Sequence, residues 1–354
     1  MEEHTGTHKY LVDATRDILR TYMGAVGTEI AERLKTLNAA MPAILAGRPA
    51  DNQISWGITR RHGEFKVIIL AENDADPLVQ EIVRTSEAVF VTRLTAEAHS
   101  LDARVSHLPR SPSLPDRKAG ASIGHMSGYP GTLGCFVRCT EGNWLGVISA
   151  SHVLGRNNRS RRGDKVLSPG PADGRRTLNE EIGTLQNFKL LPHFQCASDN
   201  YLCCEDIALV KVEDTSDIPD VTEVWSPDRP NILMPIQRVI GGEDVANRLG
   251  QRVYKMGRTT GLTSGILDIV GLQRQRIVVA NSDPAEAVTE RHYIYTNILA
   301  VQCDKGPFSR AGDSGALVYT ADGCGIGLVI AGTEQYSFVS PLDACLRDMK
   351  ATIL

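Results

Sequence analysis

Three short segments of this 354-residue chain carry side chains whose types suit nucleophilic catalysis: ISASHVL (148–154), EDIALVKV (205–212) and RAGDSGALV (310–318). They hold His152, Asp206 and Ser314, in that order and far apart in sequence. A serine hydroxyl attacks poorly near neutral pH unless a neighbouring base takes its proton. An imidazole can do so when a buried carboxylate holds its other nitrogen. Asp206 would then fix the tautomer of His152 and stabilise the imidazolium that forms. The backbone N–H groups of Gly312 and Ser314 are candidates for an oxyanion hole, where losing one donor costs about 3–4 kcal/mol of barrier. Gly312 permits backbone conformations closed to other residues, and Gly315 leaves room for a substrate.

Each residue also has a plainer reading. Gly-Asp-Ser-Gly is ordinary turn chemistry, a lone histidine is more often a satisfied turn residue, and an aspartate can simply open a strand. The expectation rests on the three together, each next to an apolar run that reads as a strand. His125 and His193 read as loop or surface residues. Cys196, Cys203 and Cys204 match no zinc spacing, so the eight cysteines read as free, mostly buried thiols, with no metal and no cofactor expected.

These residues must be positioned by a turn-rich scaffold. Short β-rich runs follow one another at 131–137, 144–149, 207–212, 252–256, 264–270, 277–280, 316–319, 325–331 and 337–339, separated by Gly, Asn, Asp and Pro. A final amphipathic helix spans 341–349. Upstream, apolar residues at helical spacing across 10–37 predict one kinked helix or two short ones, since Gly24 and Gly27 weaken the middle. Strands are expected over 54–59 and 65–71, with 60–64 as the turn, followed by a helix over 77–85 and a β-rich run over 88–94. Residues 106–119 begin with SHLPRSPSLPDRK, which is linker composition. The expected organisation is an α/β accessory module (1–105), a linker (106–119) and a β-rich domain (120–354).

GDSGAL, SASHVL and DIALVKV resemble the active-site signatures of chymotrypsin/trypsin-like serine peptidases, over roughly residues 120–354. ASIGHMSGYPGTLGCFVR (121–138), KMGRTTGLTSG (255–265) and GLVIAGTEQYSFVSPLDACL (327–346) are similar to the bacterial and plant narrow-leaf subgroup, whose members also carry an N-terminal α/β segment. Two departures stand out: serine replaces the usual asparagine before the histidine, and GDSGA replaces GDSGG. The resemblance implies a mainly β fold, a double antiparallel β-barrel with the triad in the cleft, acting on proteins or peptides. It puts Phe308 at the floor of the primary specificity pocket, favouring small or medium apolar side chains unless insertions shift the frame and make Phe308 a core residue. It puts Gly332 and Thr333 on the pocket wall, beside an extended substrate. Asp313 would turn under the oxyanion loop and need a buried cation. By analogy with alpha-lytic-type peptidases, that cation is expected to be Arg258 of GRTTG, paired through two parallel hydrogen bonds; Arg310 is the local competitor, and a solvent-exposed Arg258 in a tight turn the plainer reading.

Composition sets the outer limits. Hydrophobic residues make up 42% and charged residues 23%, which excludes wholesale disorder. Net charge is −4, so nucleic acid is not expected as a bulk electrostatic partner, and the basic run 156–162 reads as a solvated loop. No apolar stretch is long enough to span a membrane. The N-terminus lacks the pattern of a secretory signal, so a cytoplasmic location is expected. The reading is an intracellular serine endopeptidase, with the alternative of a regulated effector that stays silent until the N-terminal module senses a ligand or a regulatory partner; the module could also serve self-association. The rival reading is a catalytically silent module that holds peptides or partner proteins in the barrel cleft.

Overall fold

The structure is a computed structural model that describes residues 21–22, 24–37, 54–71, 75, 77–84, 89–93, 98–101, 118–171, 173, 181–192, 203, 205–215, 218–229, 232–280 and 290–354. Most of the 106–119 linker, residues 10–20 of the expected first helix, His193, Cys196 and Cys204 lie outside this set.

Helix α1 (24–37) presents Val26, Ile30, Ala31, Leu34 and Leu37 on one buried stripe, the spacing expected of a helix with one apolar face. Strands β1 (Ile54–Arg61) and β2 (Glu64–Ala71) form a hairpin closed by His62 at φ 53° and Gly63 at φ 87°. Two successive positive φ values define the tight turn that matches strand twist, and Gly63 meets one of them without steric cost. Helix α2 (Pro77–Arg84) leads to β3 (Val89–Arg93), which pairs parallel with β2. The apolar run of β2 is buried on both faces: Val67 and Ile69 enter one core, Ile68 and Leu70 another.

A first set of strands curls into a half-barrel. It comprises β5 (Ser122–His125), β6 (Gly131–Thr132), β7 (Cys135–Cys139), β8 (Leu145–Ser149), β9 (Lys165–Leu167), β10 (Glu181–Phe188) and β11 (Ala208–Val212). The order is β23-β7-β8-β11-β10-β9-β5-β6, where β23 (Ala351–Ile353) is the last strand of the chain. Between β8 and β9 lies the one-turn helix α3 (Ser151–Leu154).

A second set closes on itself. Strands β15 (Arg252–Gly257), β16 (Gly261–Gln273), β19 (Ile298–Cys303), β22 (Tyr336–Pro341), β21 (Cys324–Gly332) and β20 (Leu317–Thr320) pair in a ring, β20 returning to β15. A closed antiparallel ring has no free edge. With the half-barrel it makes the mainly β, two-barrel architecture expected. The hairpin β12 (Glu223–Trp225)–β13 (Leu233–Pro235), β14 (Arg238–Val239) and helix α4 (Gly242–Ala246) connect the two sets, and α5 (Leu342–Asp348) follows β22.

The N-terminal strands join this ring. β1 pairs antiparallel with β16, and α1 shares one core with Trp56, Val253, Val301 and Val318 of the closed barrel. Strand β4 (Ala98–Leu101) lies between β21 and β17 (Gln275–Ala280), and β17 forms a hairpin with β18 (Glu290–Tyr295).

Candidate active site

His152 stands on α3, immediately after β8 delivers the chain from the half-barrel core. Asp206 sits two residues before β11, and β11 pairs with β8, so the sheet brings the two side chains together. His152 Nδ1 lies 2.6 Å from Asp206 Oδ2, and the His152 backbone N–H donates to Oδ1 at 3.1 Å. Both residues are fully buried. Burial alone would raise the Asp206 pKa; the His152 charge and hydrogen bonds from His152 and Tyr295 outweigh it, and the carboxyl is held below its usual range. Tyr295, at the end of β18, donates its hydroxyl to Asp206 Oδ2 at 2.8 Å. Burial, with the Asp206 charge beside it, pushes the Tyr295 phenol well up, so it stays a donor. No sequence motif marks Tyr295, which arrives from the β17–β18 hairpin.

Ser314 lies in the turn before β20, and its backbone is tied to the His152 segment through Thr132. Thr132 N–H donates to Ser314 O at 2.8 Å, and Ser149 Oγ donates to Thr132 O at 2.7 Å. Gly315 has φ 89°, and a side chain there would meet Ser149 Oγ at 2.2 Å and Ala150 N at 2.9 Å. Glycine is therefore required for the two barrels to approach at this point. Ser314 Oγ donates to the carbonyl of Ile330 in β21 at 3.1 Å. His152 Nε2 is buried with no hydrogen-bond partner among the described residues.

The expected oxyanion donors are oriented by their neighbours. The carbonyl of Ala311 accepts from Thr259 Oγ1 at 2.8 Å. In a trans peptide the N–H of the next residue points the opposite way, which turns Gly312 N–H away from Thr259. The carbonyl of Asp313 accepts from Ala316 N–H at 3.0 Å, which in the same manner turns Ser314 N–H outward from the loop. Gly312 has φ 96°, a value that requires glycine here.

Asp313 does turn under this loop, but its cation is not Arg258. Lys255 Nζ lies 3.2 Å from Asp313 Oδ2, with both side chains fully buried. Oδ1 accepts from the N–H groups of Thr259 (2.8 Å) and Thr260 (3.2 Å); Oδ2 accepts from Thr260 Oγ1 (2.6 Å) and Arg310 N–H (3.0 Å). Lys255 Nζ also donates to Thr260 Oγ1 and to Gly261 O. Burial pushes the Lys255 pKa down, with Asp313 pulling against it. Arg258 instead makes a two-point pair with Asp173, through Nε and Nη2, and Asp173 also accepts from Ser122 Oγ. The GRTTG turn thus holds Asp313 with backbone N–H groups while its guanidinium staples the closed barrel to the half-barrel. Reach explains the difference: Lys255 and Val253 share the inward face of β15, whereas Arg258 lies beyond the strand's end.

Phe308 is fully buried in the closed-barrel core, its ring 6.0 Å from Lys255 Nζ, and presents no surface to a cleft. That is the core reading rather than the pocket-floor one. Gly332 ends β21 opposite His99 of β4, and Thr333 is taken up in the following turn, where its Oγ1 accepts from Gln335 and Tyr336 N–H. His125 is not a surface residue: it is buried in β5, with Nε2 3.0 Å from Asp164 Oδ2 and Nδ1 accepting from Ser127 N–H. The six described cysteines are free thiols, five of them buried, and no metal-binding cluster occurs among the described residues. No described helix is long and apolar enough to cross a membrane.

No protein-family model and no curated protein matches the sequence. Among solved structures the chain is similar to protease A of Thermobifida fusca, with 16% identity over 67% of this chain and 97% of that one (TM-score 0.43). It is likewise similar to a glutamic acid specific serine protease, with 16% identity over 67% and 99% of the two chains (TM-score 0.44). A third is the chymotrypsin of Cellulomonas bogoriensis, with 14% identity over 67% and 97% (TM-score 0.40).

Proposed function

We propose that the chain is a serine endopeptidase that cleaves proteins or peptides through an acyl-enzyme on Ser314. The reading rests chiefly on the buried His152–Asp206 pair, 2.6 Å apart, whose Nε2 has no hydrogen-bond partner among the described residues. In the reaction Ser314 Oγ leaves the Ile330 carbonyl by side-chain rotation and passes its proton to His152 Nε2 as it attacks the peptide carbonyl. Hydrogen bonds at an active site commonly tighten only when substrate is bound. The imidazolium is stabilised by Asp206, which Tyr295 and the His152 backbone hold in place. Gly312 and Ser314 N–H groups receive the oxyanion. His152 then gives the proton to the leaving amine, and water releases the acyl group by the same steps in reverse.

A binding-only module is the second reading, and the Ser314 hydroxyl resting on Ile330 O is the observation that favours it. A fluorophosphonate probe separates the two. The endopeptidase reading expects covalent labelling of the full chain that disappears in Ser314→Ala, and new protein N-termini when the unsubstituted chain is expressed. Absence of both, in folded protein with a substrate lane open to peptide, overturns it.

A further inference from the structure

Strand β4 lies between β17 and β21, the strand whose Ile330 carbonyl accepts from Ser314. His99 lies opposite Gly332 in antiparallel pairing at the end of β21. Two residues earlier on β21, Ile330 offers the carbonyl that accepts Ser314 Oγ. A backbone lying on β21 at Gly332 is therefore about two strand residues, roughly 7 Å, from the nucleophile's partner. The other edge of β4 pairs parallel with β17, Ala98 opposite Ile277 and His99 opposite Val278. β17 runs through its hairpin into β18, which ends at Tyr295 on Asp206. The slot that β4 fills is thus walled by two strands, one whose Ile330 carbonyl accepts from Ser314 Oγ and one whose hairpin partner ends at Tyr295 on Asp206.

Backbone hydrogen bonds on both edges are how an extended peptide is captured by a sheet. β4 is only four residues long and far in sequence from both neighbours, so no hairpin fixes it there. We propose that β4 is an intramolecular peptide occupying the substrate lane between β17 and β21, and that the site opens when β4 leaves. The proposal rests on the endopeptidase reading for its purpose but not for its test. Tethering gives β4 a high effective concentration, so a free peptide must compete with it. The apparent affinity for that peptide falls in proportion to the fraction of molecules that are open.

The test uses the full chain carrying Ser314→Ala and a fluorescent peptide of sequence EAHSLDA (residues 97–103). His99→Pro, introduced in that background, alters the residue of β4 that pairs with both neighbouring strands and expels the strand. Peptide binding is expected to tighten at least about tenfold over Ser314→Ala alone. Equal affinity, or no binding by either protein, overturns the proposal. Should His99→Pro lose cooperative melting, hydrogen exchange on Ser314→Ala replaces it: saturating peptide should speed exchange at 98–101 while β21 stays protected. Unchanged exchange at 98–101, or no binding, overturns the proposal. With Ser314 restored, tighter peptide binding without hydrolysis would leave the β4 assignment standing and remove the endopeptidase reading.

Discussion

Lys255 and Asp313 form an ion pair from which solvent is fully withdrawn, Nζ lying 3.2 Å from Oδ2, directly beneath the turn that carries Ser314. Four further hydrogen bonds, from Thr259, Thr260 and Arg310, complete the carboxylate's shell. A buried ion is tolerable only with such a complement, and deleting one partner costs about 3–5 kcal/mol. Lys255→Met should therefore lower the melting temperature and, on the endopeptidase reading, reduce fluorophosphonate labelling by about a hundredfold or more as the turn carrying Ser314 loses its anchor. Labelling rate and thermal melting on the same preparations check this; near-normal labelling would mean the loop holds without the pair.

Arg258→Met should act differently. It strands Asp173 at the seam between the barrels and removes none of the contacts of Asp313. The expected result is a loss of stability comparable to that of Lys255→Met, about 3–5 kcal/mol in denaturant, with labelling per folded molecule much less affected. Comparing the two variants at a temperature where both are folded separates anchoring of the loop from joining of the barrels.

Tyr295→Phe removes one hydrogen bond to a buried carboxylate and almost no volume. Hydrogen bonds to charged groups contribute about 1.5–3 kcal/mol. On the endopeptidase reading, kcat/KM should fall by about ten- to a hundredfold, with the loss in kcat rather than KM. A change confined to KM would assign Tyr295 to substrate binding instead.

The depressed pKa of Asp206 has a pH consequence with a definite sign. A carboxylate whose folded pKa lies below its unfolded value, about 3.9 for Asp, adds stability that is present above the unfolded value. That stability is lost as pH falls through the folded value. Acid unfolding monitored below pH 5 should show a steeper dependence on pH for the unsubstituted chain than for Asp206→Asn. Parallel curves would place the acid sensitivity elsewhere.

Trp56 tests how the N-terminal strands are attached. It is almost wholly buried in β1 and shares a core with Val253, Val301 and Val318 of the closed barrel. Trp56→Ala should cost about 3–5 kcal/mol. Calorimetry should show the main transition moving down as a unit; a separate early transition, with the barrel unchanged, would mean the hairpin melts alone.

Much of the architecture was legible from punctuation and period. The runs at 252–256, 264–270, 325–331 and 337–339 fall inside β15, β16, β21 and β22, and the triad segments stand at the strand ends they were read to occupy. The strand β19 escaped notice because the turn before it carries no Gly or Pro; Asn297 at φ 52° is its only local signal. β4, as Ala-His-Ser-Leu, carries no apolar period at all. The cation for Asp313 was misassigned although a signal existed: Lys255 alternates with Val253 and Gly257, so it lies on the apolar face of β15 and demands a buried carboxylate. Tyr295 could not be found this way, because a tyrosine in a β-rich run reads as packing. Only the meeting of β18 with the half-barrel gives its hydroxyl a partner.

The last strand bears on when the molecule becomes whole. β23 is laid against β7, Leu354 N–H donates to Phe136 O, and Thr222 N–H donates to Leu354 O. The half-barrel that carries His152 and Asp206 thus takes its outer strand from residues 351–353, far beyond β7 in sequence. Chains emerge N-terminal end first, and contacts this distant in sequence form late. During synthesis the half-barrel must wait with an unpaired edge at β7, and the His152–Asp206 pair must wait with it for Tyr295. A chain that has passed Asp206 thus still lacks both the strand that pairs with β7 and the tyrosine that holds the carboxylate, and the candidate site comes together late in synthesis.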